Sequence, residues 1–286
     1  MDNEKGILFS DTILQRKGAR KIGDIPDEVV KLLQKGQLQT VNLTEWLAVN
    51  HILLLKNVLY ELGLQGESDS IIHRLNDLNE MKIMKIIPDI AREWLNLMDR
   101  KSEEERSRIY DALATHPSDS VRCWAAYIVG LDRRLSLEKK LTSIRPFAAD
   151  PHFGVREIAW MALRESISKE LMSSIDILND WVHDQDANIR RFAIESTRPQ
   201  GVWAKHIPEL KENPGMVRSL LEAVISDPAK YVQDSVGNWL NDASKTNPDW
   251  VLQFCDEWLE TSDTKETKRI VTRARRSLIK NKGLSL

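Results

Sequence analysis

The sequence predicts an all-α fold, and three observations carry the prediction. Its 286 residues include only 12 glycines and 10 prolines, and almost no stretch alternates apolar with polar residues at a period of two. Apolar positions instead recur at three and four residues, as in Val29, Leu32 and Leu33 or Ile158, Met161 and Ala162, the spacing that gathers side chains on one face of a helix. The second half of the chain also repeats itself.

Four segments align: SDSVRCWAAYIVG, HFGVREIAWMALR, DANIRRFAIESTR and AKYVQDSVGNWLN. Their matched aliphatic residues, Val121, Val155, Ile189 and Val232, lie 34, 34 and 43 residues apart, each with an acid upstream (Asp119, Asp150, Asp186, Asp227). The stretch RIVTRARRSL near Val271 reads as a fifth, weaker copy. The period suits tetratricopeptide repeats, but their Trp, Leu-Gly and Tyr spacing is absent, as is the ankyrin Thr-Pro-Leu-His signature. What recurs is Asp, a short turn, then Val or Ile followed by Arg or Gln opening an amphipathic helix, the pattern of HEAT-like repeats. Asp can cap each helix start, and stacked pairs bury a core that no single pair could bury. The expected architecture is an α-solenoid with one concave face, suited to an extended partner.

Ahead of the repeats, helices are predicted at about 26–35, 43–64, 68–77, 81–98 and 102–114. Pro26-Asp27-Glu28 reads as a helix start, because proline in the first turn needs no donor and the acids face the helix dipole. Asn42 before Thr44-Glu45-Trp46-Leu47 reads as a cap. No composition shift marks a linker. The expectation is a helical N-terminal cap over 1–100 and a repeat region over 101–286, continuous as one domain.

Hydrophobic residues at 42% and charged ones at 29% exclude disorder along the whole chain. Forty-one basic against 43 acidic side chains give a net charge of −2, so any polyanion site is a local patch. Cys123 and Cys255 are too few and too scattered for a disulfide framework or a cysteine-based zinc site. The longest apolar run, 123–129, is far short of the ~20 residues that span a bilayer, and the start MDNEKGILFSD lacks the layout of a secretory signal. A cytoplasmic, monomeric chain away from any membrane is expected. With no GxxxxGK, GxGxxG, GxSxG or HExxH motif, nucleotide hydrolysis, dehydrogenase and zinc-peptidase readings lose support. The six histidines never fall at metal-ligand spacing with an acid on a shared helix face, so neither a metal nor a small-molecule cofactor is expected.

Positive charge is concentrated in two places. From Lys265 onward there are eight basic residues and one acid, Glu266; such a helix can follow a phosphate backbone or simply form a solvated end cap. Arg122, Arg156, Arg190 and Arg191 stand at repeat helix starts, with Arg198 beyond. Aligned across a stack, they could form a ladder that offers guanidinium groups to phosphates. The competing role is a bridge to the aspartate of an adjacent repeat. Arg191 and Arg198 depart from the repeat pattern and so have less structural excuse.

The run from Ile189 to Trp203, IRRFAIESTRPQGVW, resembles the RRxAxEgTRPrxxW segment of the AlkC-type DNA alkylation-repair glycosylases. Downstream, DPAKYVQDSVGNWLNDASKTNPD is similar to that family's DPSxYVRxSVxNxLNDIxK stretch and, more distantly, to the matching helix of AlkD-type enzymes. The resemblance is good over about 150–258 and loose over 111–150. It implies a HEAT-like protein that cradles double-stranded DNA and releases N-alkylated, cationic bases such as 3-methyladenine. Such a base is already a good leaving group, so the site need only stabilise the sugar oxocarbenium and position water. By matching position, Asp242 is the candidate carboxylate and Trp203 the candidate aromatic, with Glu157 a second acid. Arg156, Arg190, Arg191, Arg198, His152, Asn238 and Lys245 are the candidate DNA contacts. Asp242 could equally pair with Arg198 or Lys245 and merely tie two repeats together; Trp203 could be a wedge between repeats.

The chain departs from the family at two places. His152-Phe153-Gly154-Val155-Arg156-Glu157 stands where AlkC-type proteins carry an acid in a Glu-Phe-Ala-Ile-Arg-Pro run, and Asn238 stands where the AlkD-type pattern has an aromatic. Two other readings therefore stay open: a HEAT-like DNA-binding protein without catalysis, and a protein-interaction scaffold.

Overall fold

The computed structural model describes residues 11–76, 82–201 and 203–281, with side chains described as far as Ile279. Lys282 of the basic tail and the side chain of Lys280 lie outside that set, as do residues 77 and 81 at the ends of two predicted helices. Every regular element among the described residues is helical. Contacts divide the chain into two compact units, Met1–Ile128 and Val129–Leu286.

The first unit contains α1 (Asp11–Leu14), α2 (Asp27–Gln34), α3 (Leu43–Ala48), α4 (His51–Glu61), α5 (Ser68–Asn76), α6 (Ile83–Met98), α7 (Glu103–Ala114) and most of α8 (Asp119–Leu131). The helix predicted over 43–64 is broken in two. Val49 is extended (ψ 122°), and Asn50 accepts from the Leu53 amide to cap α4. Asn42 caps α3 through the Glu45 amide, as the sequence suggests. Ser102 and Glu105 form a capping box on α7. Leu54, Leu55, Leu59, Ile87, Ile90, Trp94 and Trp124 form the core.

The second unit contains α9 (Leu137–Ala148), α10 (Phe153–Lys169), α11 (Leu171–Trp181), α12 (Ala187–Ser196), α13 (Pro208–Glu212), α14 (Arg218–Ala223), α15 (Lys230–Ala243), α16 (Pro248–Thr261) and α17 (Lys265–Asn281). The second helices of successive pairs stack in the order α10, α12, α15, α17. The repeat aliphatics Val155, Ile189 and Val232 are buried there with Phe192, Val236, Trp239 and Ile270. The wider 43-residue spacing has a plain cause: loop 199–207 and α13 are inserted between α12 and α15.

One turn opens the aligned helices, five residues before each repeat aliphatic. Asp150, Asp184 and Asp227 accept the amides of His152, Asp186 and Ala229 at 2.7, 2.8 and 2.8 Å. In the earliest copy His116 Nδ1 does the same for Ser118, at 3.0 Å. The acids read as Asp119 and Asp186 are thus not the equivalent ones. Asp119 accepts the Thr40 amide and hydroxyl, and Asp186 caps α12 through the Asn188 amide. The residue after each aliphatic closes the turn. Arg122 donates to the His116 and Pro117 carbonyls, Arg156 to Asp150 and Pro151, Arg190 to Asp184 and Gln185, and Gln233 to Asp227.

Candidate functional site

The turn determines what the arginine ladder can do. The Nη1 group of Arg156 and of Arg190 points back into the protein's own backbone, at 2.7 to 2.9 Å. Arg190 also meets Asp227 of the following repeat through Nε and Nη2, at 2.6 and 3.0 Å. That is the bridge to a neighbouring aspartate. His152 belongs to the same machinery: its ring Nδ1 accepts the Gly154 amide at 3.1 Å and its ring lies tilted against Phe153, 4.6 Å between ring centres.

One residue further along each helix, the side chains turn about 100° and leave the turn. Glu157, Arg191 and Asp234 occupy this position on α10, α12 and α15. From Glu157 to Lys245 an alternating series of charges crosses the three helices. Glu157 Oε1 accepts from Arg191 Nη2 at 2.6 Å, and Arg191 stands 3.6 Å from Glu195 Oε1. Glu195 Oε2 accepts from Arg198 Nη1 at 3.0 Å. Arg198 Nε and Nη2 donate to Asp242 Oδ2 at 2.9 and 2.6 Å, and Lys245 Nζ donates to Asp242 Oδ1 at 2.8 Å. Heptad-like spacing makes this possible, since Arg191, Glu195 and Arg198 fall on one face of α12 and its C-terminal extension.

Burial and charge oppose each other at the centre of the series. Desolvation works to raise the Glu195 carboxyl, but Arg191, Arg198 and the Ser235 hydroxyl at 2.8 Å outweigh it and hold the group below its ordinary value. Arg191 and Arg198 are buried too, yet their acidic neighbours hold both above the ordinary guanidinium value. Tyr231 on α15 covers the Glu157 end. Arg191 lies 4.2 Å and Arg156 5.3 Å from its ring centre, and its hydroxyl reaches Glu157 Oε1 at 3.4 Å. Burial, resisted by Arg191, raises its phenol.

The Asp242 end adjoins loop 199–207, which carries Trp203. Trp203 is 61% exposed and adopts φ 60°, a left-handed conformation that costs an L side chain about 1–2 kcal/mol. The loop is fastened at both ends by Arg164 on α10, whose guanidinium donates to the Lys205 carbonyl at 2.9 Å, to Ser196 at 2.8 Å and to Arg198. Burial, reinforced by Arg198, pushes the Arg164 guanidinium down to about 10. Trp239 Nε1 donates to the Thr197 carbonyl at 3.0 Å, and Gly201 packs against the Trp160 ring. Trp160 in turn donates to Glu157 Oε2 at 2.8 Å.

Of the residues singled out by sequence, Glu157, Arg191, Arg198, Asp242 and Lys245 thus meet in one network. Arg156, Arg190 and His152 build the turns, and Asn238 faces α17. The two acids differ in access: the Glu157 side chain is 33% exposed, whereas Asp242 is 5% exposed beneath Lys245. Sequence reading missed Arg164, Glu195 and Tyr231. Only Glu195 carried a signal, being spaced four residues after Arg191 and three before Arg198. Among the described residues no group of three or more His, Cys, Asp or Glu side chains is placed to hold a metal ion, and no helix is long and apolar enough to cross a membrane.

The HEAT-like stack of second helices, with an ion-paired carboxylate beside a fastened tryptophan loop, is a helical-repeat fold similar to that of AlkC and AlkD2. Residues 155–278 match the family model described as DNA alkylation repair enzyme, which bears out the resemblance read from the sequence. Among solved structures the chain is similar to the alkylpurine DNA glycosylase AlkC of Pseudomonas fluorescens, bound to DNA containing an abasic site analog. The TM-score is 0.63 at 23% identity, over 79% of this chain and 62% of that one. It is also similar to AlkD2 of Streptococcus mutans, with a TM-score of 0.53 at 22% identity, over 72% of this chain and 96% of that one. A curated relative, the uncharacterized protein YhaZ of Bacillus subtilis (strain 168), is 39% identical over 100 residues, 35% of this chain but only 28% of the relative's length.

Proposed function

We propose that the protein binds double-stranded DNA along the face formed by α10, α12, α15 and α17 and excises N-alkylated, cationic bases such as 3-methyladenine. The observation that carries this reading is the pairing of Asp242 with Arg198, two residues past α12, at the foot of the loop that presents Trp203. In the reaction the C1′–N bond breaks, its electron pair leaves with the alkylated base, and the base departs neutral. Water then adds to C1′ and loses a proton. The developing positive charge on the sugar is met by a fixed carboxylate, and the cationic base by an indole face. Arg198 fixes Asp242 in place. Lys245, 48% exposed, covers the other carboxylate oxygen. A DNA phosphate competes for that ammonium, and its withdrawal uncovers Asp242 Oδ1 toward the sugar.

The test is base release from an alkylated duplex carrying a panel of lesions. Asp242→Asn is expected to lower the rate about 100- to 1,000-fold, the scale for one preorganised electrostatic group, while leaving duplex affinity in place. Wild-type protein that binds duplex DNA but releases no base from any lesion rejects excision. It leaves the second reading, DNA binding without catalysis, which the burial of Asp242 under two cations supports.

A further inference from the structure

Helix α17 turns Arg269, Arg273 and Arg276 toward α15. One carboxylate receives two of them: Asp234 Oδ1 takes Arg269 Nη2 at 2.7 Å and Arg273 Nη1 at 3.2 Å. The other acceptor carries no charge. Asn238 Oδ1 accepts from Arg273 Nε and from Arg276 Nη1, both at 3.0 Å, so two guanidinium groups converge on one neutral oxygen. Among the described residues no carboxylate forms an ion pair with Arg276. The acids facing it, Asp234 and Asp242, are already held by Arg269 and Arg273 and by Arg198 and Lys245.

This convergence is built into the helix packing. A Cβ on Gly237 would lie 2.8 to 2.9 Å from Cβ, Cγ and Cδ of Arg273, so the missing side chain is what lets the arginine stem lie flat across α15 and bring Nε to Asn238. The pair resists its own assembly. Burial lowers the Arg276 guanidinium and Arg273 lowers it further, with Asp242 opposing. The two guanidinium groups have only one carboxylate between them, Asp234, and that one also holds Arg269.

We propose that Arg273 and Arg276, bridged by Asn238, form the seat for one backbone phosphate of the bound DNA strand, next to the sugar that Asp242 faces. The inference rests on the DNA-binding reading above. A phosphate offers anionic oxygens to Arg276, which pairs with no carboxylate among the described residues, and to Arg273, which shares Asp234 Oδ1 with Arg269, and a carboxylate at position 238 would neutralise the pair and close the seat.

Affinity for an unmodified duplex, measured by fluorescence anisotropy from about 50 to 200 mM NaCl, tests it. Replacing both arginines with glutamine is expected to make the slope of log K against log salt shallower by about 0.9 per lost phosphate contact, and to weaken binding about 8-fold near 0.1 M salt. Asn238→Asp, which keeps both arginines, is expected to act in the same direction; should the double variant fail to fold by circular dichroism, this variant decides. Lys268→Gln, on another face of α17 and paired with Asp263, is expected to leave the slope unchanged. Wild-type binding with equal slopes in the seat variants, or an equal loss in Lys268→Gln, overturns the seat and leaves DNA binding standing. A wild-type chain that binds no duplex at low salt overturns the DNA reading and the seat with it.

Discussion

Glu195→Gln removes one negative charge from the middle of the alternating series while keeping the side chain's shape. Glu195 is 2% exposed and receives Ser235, Arg198 at 3.0 Å and, more distantly, Arg191 at 3.6 Å. Stripping one partner from a buried ion pair costs roughly 3–5 kcal/mol, because the cation left behind is desolvated and uncompensated. Here each arginine retains a second carboxylate, Arg191 through Glu157 and Arg198 through Asp242. That places the expected loss near the lower bound, about 3 kcal/mol. The measurement is urea unfolding at neutral pH, followed by tryptophan emission, because Trp160 and Trp239 flank the network. The acid limb supplies a second readout. The folded carboxyl lies below its unfolded value, so its contribution is complete above the unfolded value of about 4.3 and disappears as pH falls through the folded one. The variant should lack that part of the acid transition. A loss below about 1 kcal/mol, with an unchanged acid limb, would show that Arg191 and Arg198 do not depend on Glu195 and that the series is a row of separate pairs.

Two further outcomes are expected. His51 is buried, its Nδ1 accepts from Trp124 Nε1 at 3.1 Å, and burial lowers it to about 4 from 6.5. Since the unfolded chain binds the proton first, stability is complete above about 6.5 and falls by about 3 kcal/mol as pH drops to about 4. His51→Leu should flatten that decline in thermal melts, and a decline identical to wild type counts against it. Arg156→Gln should retain the turn, because Gln233 already makes the equivalent bond to the Asp227 carbonyl at 2.7 Å. We expect a cost under about 1 kcal/mol in urea, against about 1–3 kcal/mol for Arg156→Ala; equal costs would mean the turn bond is immaterial.

Much of the fold was legible because it is written in periodic positions. Val155, Ile189 and Val232 mark three successive core layers, and the stretch from 189 to 242 supplied both ends of the Arg198–Asp242 pair. The break between α3 and α4 was hidden, because Val49 and Asn50 interrupt an otherwise continuous apolar pattern only through backbone conformation. Asp150 and Asp227 are the turn acceptors read from the sequence, but Asp119 and Asp186 stand three and two residues from the true ones for a related reason: several polar acceptors lie near each turn, and only geometry distinguishes the one that accepts the amide two residues on. Histidine at 116 shows that the turn requires an acceptor, not a charge. Arg164 gave no signal at all, since its partners are backbone carbonyl oxygens 32 to 41 residues away, and any residue type supplies those.

The arginines illustrate a more general point about stacked repeats. A side chain that recurs at an equivalent position in every copy has an equivalent environment in every copy, so recurrence favours a role that each copy needs by itself. Arg122, Arg156, Arg190 and Gln233 fill such a role by closing their own turns. The next position does not recur: it reads Cys123, Glu157, Arg191 and Asp234, and its last three members face one another with alternating sign or meet α17. A site acting once per molecule has to differ between copies, and the excision and phosphate seat proposed above ask for one acid in one place and one pair of cations in another. The informative residues therefore lie where alignment of the copies fails, in the Glu157, Arg191, Asp234 row, in the insertion that lengthens one spacing to 43, and at Asn238, where a neutral oxygen stands between two arginines.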